Sequence, residues 1–265
     1  MDADWHRLTS WRGRTLAQVV VLPEIDSTNA EARRRVEGAG AGHGLVLVAL
    51  EQTAGRGSRG RAWHHVAGRS LALSAVLDLA EAPVPCATWL GAVASADALF
   101  ASGLEPTLKW PNDVLLRGRK FAGVLAETCP GRRIVVLGIG WNVGAGREEL
   151  PADLRIPATS LREEGVDLTV PQAAKRLLDA LDLRIDELAR RGPAPLAAAF
   201  ASRLGLVGRQ VRVGLAEREE ALCGRLVRIE PDATVVLGAG SDPGGDAGAP
   251  ATRIAGAHVV SLRAL

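Results

Sequence analysis

The sequence predicts an α+β protein in two unequal parts, on three observations. Between residues 19 and 143, short apolar segments of strand length recur, separated by two helix-like stretches and several turns. Residues 171–204 carry helical periodicity. After Gly205 that periodicity gives way to short β-like segments. The predicted division is a larger mixed part over 1–204 and a small all-β part over 205–265. A chain of 265 residues can bury a substantial core. With 47% hydrophobic and 23% charged residues, a disordered, collagenous or simple coiled-coil chain is excluded.

The elements follow in order. VVVLPEI at 19–25 reads as a strand, and Asp26 and Ser27 are suitable N-caps for a helix over TNAEARRRVE. A glycine-rich turn over 38–44 leads to an apolar strand at 45–50. The next stretch, EQTAGRGSRGRAWHHVAGR, has neither a strand nor a helix period and reads as a long loop. Loops of that length in compact domains are functional or disordered. A strand at 70–79, a helix at 86–102, three short strands at 106–110, 113–117 and 121–128, and a buried strand at 133–143 complete this part. Ala174, Leu177, Leu178, Leu181, Ile185 and Leu188 mark one face of a helix over 171–190, and a shorter helix follows at 195–204. The tail offers β-like segments at 209–215, 222–229, 233–238 and 257–263, interrupted by GAGSDPGGDAGAP, which reads as a hairpin loop.

Charge and cysteine content narrow the functional classes. Thirty-two basic and 30 acidic residues leave a net charge of +2, which argues against a DNA-coating protein. Only Lys109, Lys120 and Lys175 are lysines, so two of the three fall inside motifs described below. Cys86, Cys129 and Cys223 are far apart and form no CxxC, which predicts neither a disulfide framework nor a zinc site but a reducing, cytoplasmic setting. His6, His43, His64, His65 and His258 have no metal-ligand spacing. MDADWHRLTS lacks the apolar core of a signal peptide, and the apolar stretch from Ala82 to Ala96 is too short to cross a membrane.

Four motifs carry chemistry. In Gly55-Arg56-Gly57-Ser58-Arg59-Gly60-Arg61, glycines let the backbone approach a ligand while arginines offer donor forks for carboxylate or phosphate. A solvated arginine-glycine loop has the same composition, and no GK[ST] follows to make a P-loop. Lys109-Trp110-Pro111-Asn112-Asp113 presents a cation, an amide and a carboxylate around a turn; an Asn-Asp turn bonding its own backbone is the plainer reading. Lys120 begins the buried strand FAGVL, where it serves a ligand or guards a strand edge. LGIGWNVG at 137–144 superficially resembles a dinucleotide fingerprint, but the following segment contains two prolines and no acidic residue ends a second strand, so the Rossmann reading is rejected. Trp63, in a polar loop, suits a planar stacking partner.

Taken together and in order, DSTN at 26–29, EQTAGRGSRGRAW at 51–63, KWPNDV at 109–114, KFAGVLAE at 120–127 and GIGWNV at 138–143 resemble the biotin protein ligases. The resemblance covers about residues 19–265. It implies a mixed-sheet catalytic domain with a small SH3-like β-barrel at the C-terminus. It also implies a two-step reaction: biotin and MgATP give biotinyl-5′-AMP and pyrophosphate, and the adenylate then acylates one lysine of a biotin carboxyl-carrier domain of an acyl-CoA carboxylase.

By the same resemblance, Ser27, Thr28, Asn29 and Gln52 hold the biotin head group. Arg56, Gly57 and Ser58 line its tail and carboxylate, and Lys120 bridges that carboxylate and the α-phosphate. Arg59, Arg61, Lys109, Asn112 and Asn142 serve the nucleotide, and Trp63 stacks on adenine. Arg56, Lys120 and Asp113 form the catalytic set, with Asp113 helping to hold Mg²⁺ or accepting a proton from the acceptor lysine. The family loop commonly reads GRGRxGR. Ser58 stands in the fourth position, which removes one cation beside the acyl phosphate and predicts looser retention of the adenylate. The loop is expected to be mobile when empty and ordered over biotin.

Some family members carry an N-terminal winged helix-turn-helix. With 26 residues before Ser27, some of them in a strand, a three-helix DNA reader is not expected, so the reading is a monofunctional ligase without a nucleic-acid or membrane partner, as a monomer or weak homodimer. Three alternatives remain: a lipoate or octanoate transferase, the latter with Cys129 as nucleophile; a biotin sensor without catalysis; and an SH3-like binding module beside an inactive domain. The tail lacks an aromatic platform for nucleic acid, and its expected place is near the active site or the docked carrier.

Overall fold

A computed structural model describes residues 3–79, 84–152, 154–216, 218–238 and 251–265. Most of the loop expected at 238–250 lies outside the described residues.

The larger part is built on a seven-stranded mixed sheet. In chain order its elements are helix α1 (Ala3–Thr9), strand β1 (Gln18–Ile25), helix α2 (Thr28–Ala39), and strands β2 (Leu45–Gln52) and β3 (Ser70–Asp78). Helix α3 (Val84–Asp97) is followed by strands β4 (Thr107–Lys109), β5 (Asp113–Leu116), β6 (Arg119–Thr128) and β7 (Ile134–Asn142). Helices α4 (Val170–Arg191) and α5 (Ala194–Leu204) close this part. The sheet order is β1-β2-β3-β7-β6-β5-β4. Only β1 and β2 run parallel; the other pairs are antiparallel.

Strand β3, expected at 70–79, is buried on both faces. Leu71, Leu73, Ala75 and Leu77 join the large apolar cluster with residues of α3 and α4, whereas Val76 packs with Ala32 and Val36 of α2. A central strand covered on both sides needs no polar face. Helix α3 ends five residues before its expected limit, and a separate 3₁₀ turn covers Phe100–Ser102. The amphipathic period of α4 is borne out, with Leu177, Leu178, Leu181, Ile185 and Leu188 all buried. Thr169 caps it, accepting from the Gln172 amide.

The N-terminal helix α1 was not anticipated. The turn after it is held by Asp182 of α4, whose carboxylate accepts from the backbone N–H groups of Arg14, Thr15 and Leu16 and from the Thr15 hydroxyl. No local sequence signal announces a bond made across more than 160 residues.

Helix α5 ends on Gly205 in the left-handed region, φ 67°. Beyond it, strands β8 (Gln210–Leu215), β9 (Leu222–Ile229), β10 (Val235–Gly238), β11 (Thr252–Ile254) and β12 (Val259–Ala264) form a second sheet in the order β11-β10-β9-β8-β12. All its pairs are antiparallel. This is the expected small β-domain, with β11 added; among the described residues the pairing order leaves β11 and β12 as edges. Its inner face, including Val211, Val213, Leu226 and Leu262, continues the apolar cluster of the larger part. Trp89, Trp110 and Phe200 pack near this junction, with Trp89 and Phe200 stacked at 4.8 Å between centroids.

Candidate active site

The motifs converge on one cavity over the face of the sheet that carries α2. Its wall includes Ser27, Thr28, Asn29, Gln52, Arg56, Gly57, Ser58, Arg61, Trp63, Asn112 and Lys120.

One end is neutral and tightly hydrogen-bonded. Ser27 occupies the N-cap position of α2, yet its side chain makes no cap bond. Gln52, at the end of β2, accepts from the Thr28 backbone N–H at 2.8 Å and lies 3.0 Å from the Thr28 hydroxyl. The parallel pairing of Ile25 with Gln52 brings the two segments together. Ser74 of β3 sits beneath, with its hydroxyl 2.6 Å from Asn29 Oδ1 and 2.7 Å from Thr28 Oγ1. An amide oxygen can only accept, so Ser74 donates to Asn29 and the Thr28 hydroxyl is left to donate to Ser74 or Gln52. The Asn29 Nδ2 group donates to Glu127 at 2.7 Å and to the Leu125 carbonyl at 3.3 Å. Ser74 and Glu127 escaped the sequence reading. Ser74 was hidden in an apolar strand, and only strand pairing brings it under α2.

The glycines of the GIGWN segment have a steric purpose. Gly138 and Gly140 are two residues apart on β7 and share the cavity face. A Cβ on Gly138 would strike the Asn29 carboxamide, and one on Gly140 would strike the indole of Trp63. Trp63 therefore lies directly against the sheet, and its Nε1 is buried without a partner. An orphan buried donor calls for an acceptor from a ligand or water.

The other end is charged. The long loop folds into a narrow turn: Trp63 N donates to Gly55 O at 2.9 Å and Gly57 N to Arg61 O at 2.7 Å, with Arg56 bridged to Ala62. A 3₁₀ turn over Ser58–Gly60 forms its tip. Arg61 folds back, donating from Nη2 to the Ser58 hydroxyl at 3.2 Å. Arg59 instead points away from the cavity, to the Val260 carbonyl of β12 at 2.7 Å.

Across from the loop, the β5–β6 pairing sets Asp113 opposite Gly123, three residues along β6 from Lys120. Asp113 is buried between two cations, with Lys120 Nζ at 2.7 Å and Lys109 Nζ at 3.0 Å. Burial alone would raise its pKa, but the two ammonium groups outweigh burial and hold the carboxyl below its ordinary 3.8. Lys120 Nζ also stands 5.6 Å from the Trp63 ring centre, within cation–π range. Its backbone is clamped on both sides: its N–H donates to Pro157 O and its carbonyl accepts from Thr159 N.

Lys109, Asp113 and Asn142 do not line the cavity themselves. Lys109 and Asp113 stand behind Lys120, with Lys109 Nζ bonded to Asp113, and Asn142 Nδ2 donates to the Thr159 carbonyl, securing the strap behind Lys120. Asn112 lines it, with Nδ2 tied to Val124 O at 2.7 Å. Cys129 lies elsewhere, buried with Ala32 and Val36 of α2, and burial pushes its thiol pKa up. A buried, protonated thiol outside the cavity is a poor nucleophile. Among the described residues no group of three or more His, Cys, Asp or Glu could hold a metal ion.

Comparison with known proteins agrees with this arrangement. The model of the Biotin/lipoate A/B protein ligase family matches residues 21–144. The chain is 38% identical over 217 residues to the biotin--[acetyl-CoA-carboxylase] ligase of Mycobacterium tuberculosis, covering 78% of this chain and 76% of that protein. It is 38% identical over 212 residues to the enzyme of the same name from Paracoccus denitrificans, covering 74% of this chain and 86% of that one. The solved biotin protein ligase from Aquifex aeolicus, in complex with biotin and ATP, matches at a TM-score of 0.74 and 26% identity over 93% of this chain and 99% of that one. The chain belongs to the biotin/lipoate A/B protein ligase family, on its biotin protein ligase side.

Proposed function

We propose that the protein joins biotin to ATP as biotinyl-5′-AMP, releasing pyrophosphate, and then transfers biotin to one lysine of a biotin carboxyl-carrier domain of an acyl-CoA carboxylase. The observation that carries this reading is the division of one cavity into a neutral hydrogen-bonding end and a cationic end. A ureido ring needs donors and acceptors but no charge, which suits Ser27, Thr28, Asn29 and Gln52. A carboxylate meeting a phosphate needs cations, which Arg56, Arg61 and Lys120 supply.

In the first step a carboxylate oxygen attacks the α-phosphorus, the new O–P bond forms, and the bond to pyrophosphate breaks. Lys120 stands where it can leave Asp113 for the developing charge, with Arg56 beside the carboxylate. Trp63, unpartnered at Nε1, offers its ring to adenine. Mg²⁺ enters with ATP as part of the substrate, held by phosphate oxygens. Asp113, already shared by two lysines, suits the role of lysine holder better than that of metal ligand.

In the second step the carrier amine attacks the acyl carbon, AMP leaves, and the amine loses a proton. While Lys120 and Lys109 neutralise it, Asp113 is a weak base. Movement of Lys120 to the phosphate removes one of those cations and strengthens it as a proton acceptor. The division at Gly205 into a catalytic domain and a C-terminal β-domain belongs to the same proposal, with the small domain touching the arginine loop and Trp110 through β12.

The test is to incubate the protein with biotin, Mg²⁺ and α-labelled ATP and to separate the products with and without a carrier domain. A biotin-dependent adenylate that declines as the carrier gains biotin is the expected result. Biotin binding without adenylate would make the protein a sensor, and adenylate formed only from lipoate or octanoate would replace the substrate.

A further inference from the structure

We propose that Arg59 is a positioning residue that latches the Gly55–Arg61 loop to strand β12, so that the C-terminal sheet sets how the loop lies over the charged end of the cavity, where the biotin carboxylate is placed. The inference rests on the reading of that cavity given above.

Three observations carry it. Arg59 is held at φ 60° and ψ 39°, in the left-handed region that a side chain disfavours. Such a conformation persists where its surroundings impose it. The bond from its Nη2 to the Val260 carbonyl, at 2.7 Å, supplies that constraint. Val260 is itself unusual. In the β12–β8 ladder Val259 faces Leu215 and Ser261 faces Gly214, so Val260 is the extra residue of a bulge. A bulged residue drops out of the ladder, and its carbonyl is free to be aimed elsewhere. Finally, the preceding carbonyl, that of Val259, accepts from Trp110 Nε1 at 3.0 Å. Trp110 is buried and precedes the Pro111-Asn112-Asp113 turn. Two consecutive carbonyls of one C-terminal strand therefore hold the arginine loop on one side and the lysine–aspartate turn on the other.

The three arginines of the loop divide accordingly. Arg56 and Arg61 line the cavity, and Arg59 does not. Arg59 acts on biotin through the loop: released from Val260, the tip at Ser58–Gly60 loses its tether and Arg56 loses its fixed approach to the carboxylate.

The test compares Arg59→Ala and Arg59→Lys with the unaltered full-length protein. Biotin KM, ATP KM and kcat are measured for adenylate formation, and the rate of tryptic cleavage after Arg56 and Arg61 is followed in the absence of substrates. For Arg59→Ala the expected result is a biotin KM raised about tenfold, in line with loss of one charge-assisted bond, with ATP KM and kcat within about twofold, together with faster cleavage at both sites. Arg59→Lys, whose ammonium can reach the same carbonyl, recovers most of both losses. A raised ATP KM with biotin KM unchanged would overturn the proposal in favour of a nucleotide contact, as would cleavage rates equal to those of the unaltered protein. The cleavage assay needs no turnover, so it separates failure of the latch from failure of the ligase reading.

Discussion

The two ends of the cavity are built differently. The neutral end stands on regular elements: Thr28 and Asn29 on the first turn of α2, Gln52 on β2 and Ser74 on β3, with Thr28, Asn29 and Ser74 all buried. The charged end is carried by a loop tip and a short hairpin. Arg56 and Arg61 are exposed, and Lys109 and Lys120 share one carboxylate. The difference matches the chemistry expected at each. A ureido ring does not change during the reaction, so its donors and acceptors can be fixed by folding. Charge on carboxylate, phosphate and leaving group changes at every step, so the cations gain from being able to exchange partners.

The comparison can be broken most easily at Lys120. Lys120→Ala is expected to lower kcat for adenylate formation by about 10²–10³-fold, the range for loss of one preorganised charge-stabilising donor, while leaving biotin affinity much less affected. Pyrophosphate release measured against biotin concentration separates the two. The next effect lies in the second step. Asp113→Asn, supplied with preformed biotinyl-5′-AMP, is expected to acylate the carrier about 10²-fold more slowly; full-speed transfer would remove the proton role. A smaller change is expected from Ser58→Arg, which restores a cation beside the acyl phosphate. Release of the adenylate, followed by rapid filtration, should slow several-fold, in keeping with the strength of charge-assisted bonds, and an unchanged rate would show that Ser58 has no bearing on retention.

The smallest effect is one of stability. Because its two lysine partners depress the Asp113 pKa, the unfolded chain takes up that proton first on acidification. The pair's contribution is therefore complete above the ordinary value of 3.8 and is lost as pH falls through the lower folded value. Acid titration followed by circular dichroism should show the stability gap between the protein and Asp113→Asn closing below pH 3.8 and not above it.

The same contrast explains what could be read from the sequence. Strands, helices and the β-rich tail were legible because periodicity and turn residues are local signals. Arg56, Arg61 and Lys120 were conspicuous because charge within a glycine loop or at the head of an apolar strand needs a reason. Ser74 and Glu127 gave no such signal; their roles exist only once β3, β6 and α2 are assembled. The glycines of GIGWN were correctly denied a dinucleotide role, but their purpose, to let Asn29 and Trp63 lie on the sheet, depends on partners more than 75 residues away in sequence. Arg59 is the instructive case. Its motif assigns it to the nucleotide together with its neighbours, while a bulge in β12 some 200 residues later gives its guanidinium a different partner.

The central claim is that folding fixes biotin recognition at one end of the cavity while cations that exchange partners at the other end carry the reaction. Its most direct test is calorimetric titration of biotin, without ATP, into the unaltered protein, Ser74→Ala and Lys120→Ala, with adenylation kcat measured on the same preparations. Ser74→Ala leaves the Asn29 carboxamide without its donor and is expected to weaken biotin binding about tenfold, within the range for an unsatisfied buried group, with kcat nearly retained; Lys120→Ala is expected to show the reverse. Equal losses of affinity and kcat in both variants would contradict the division.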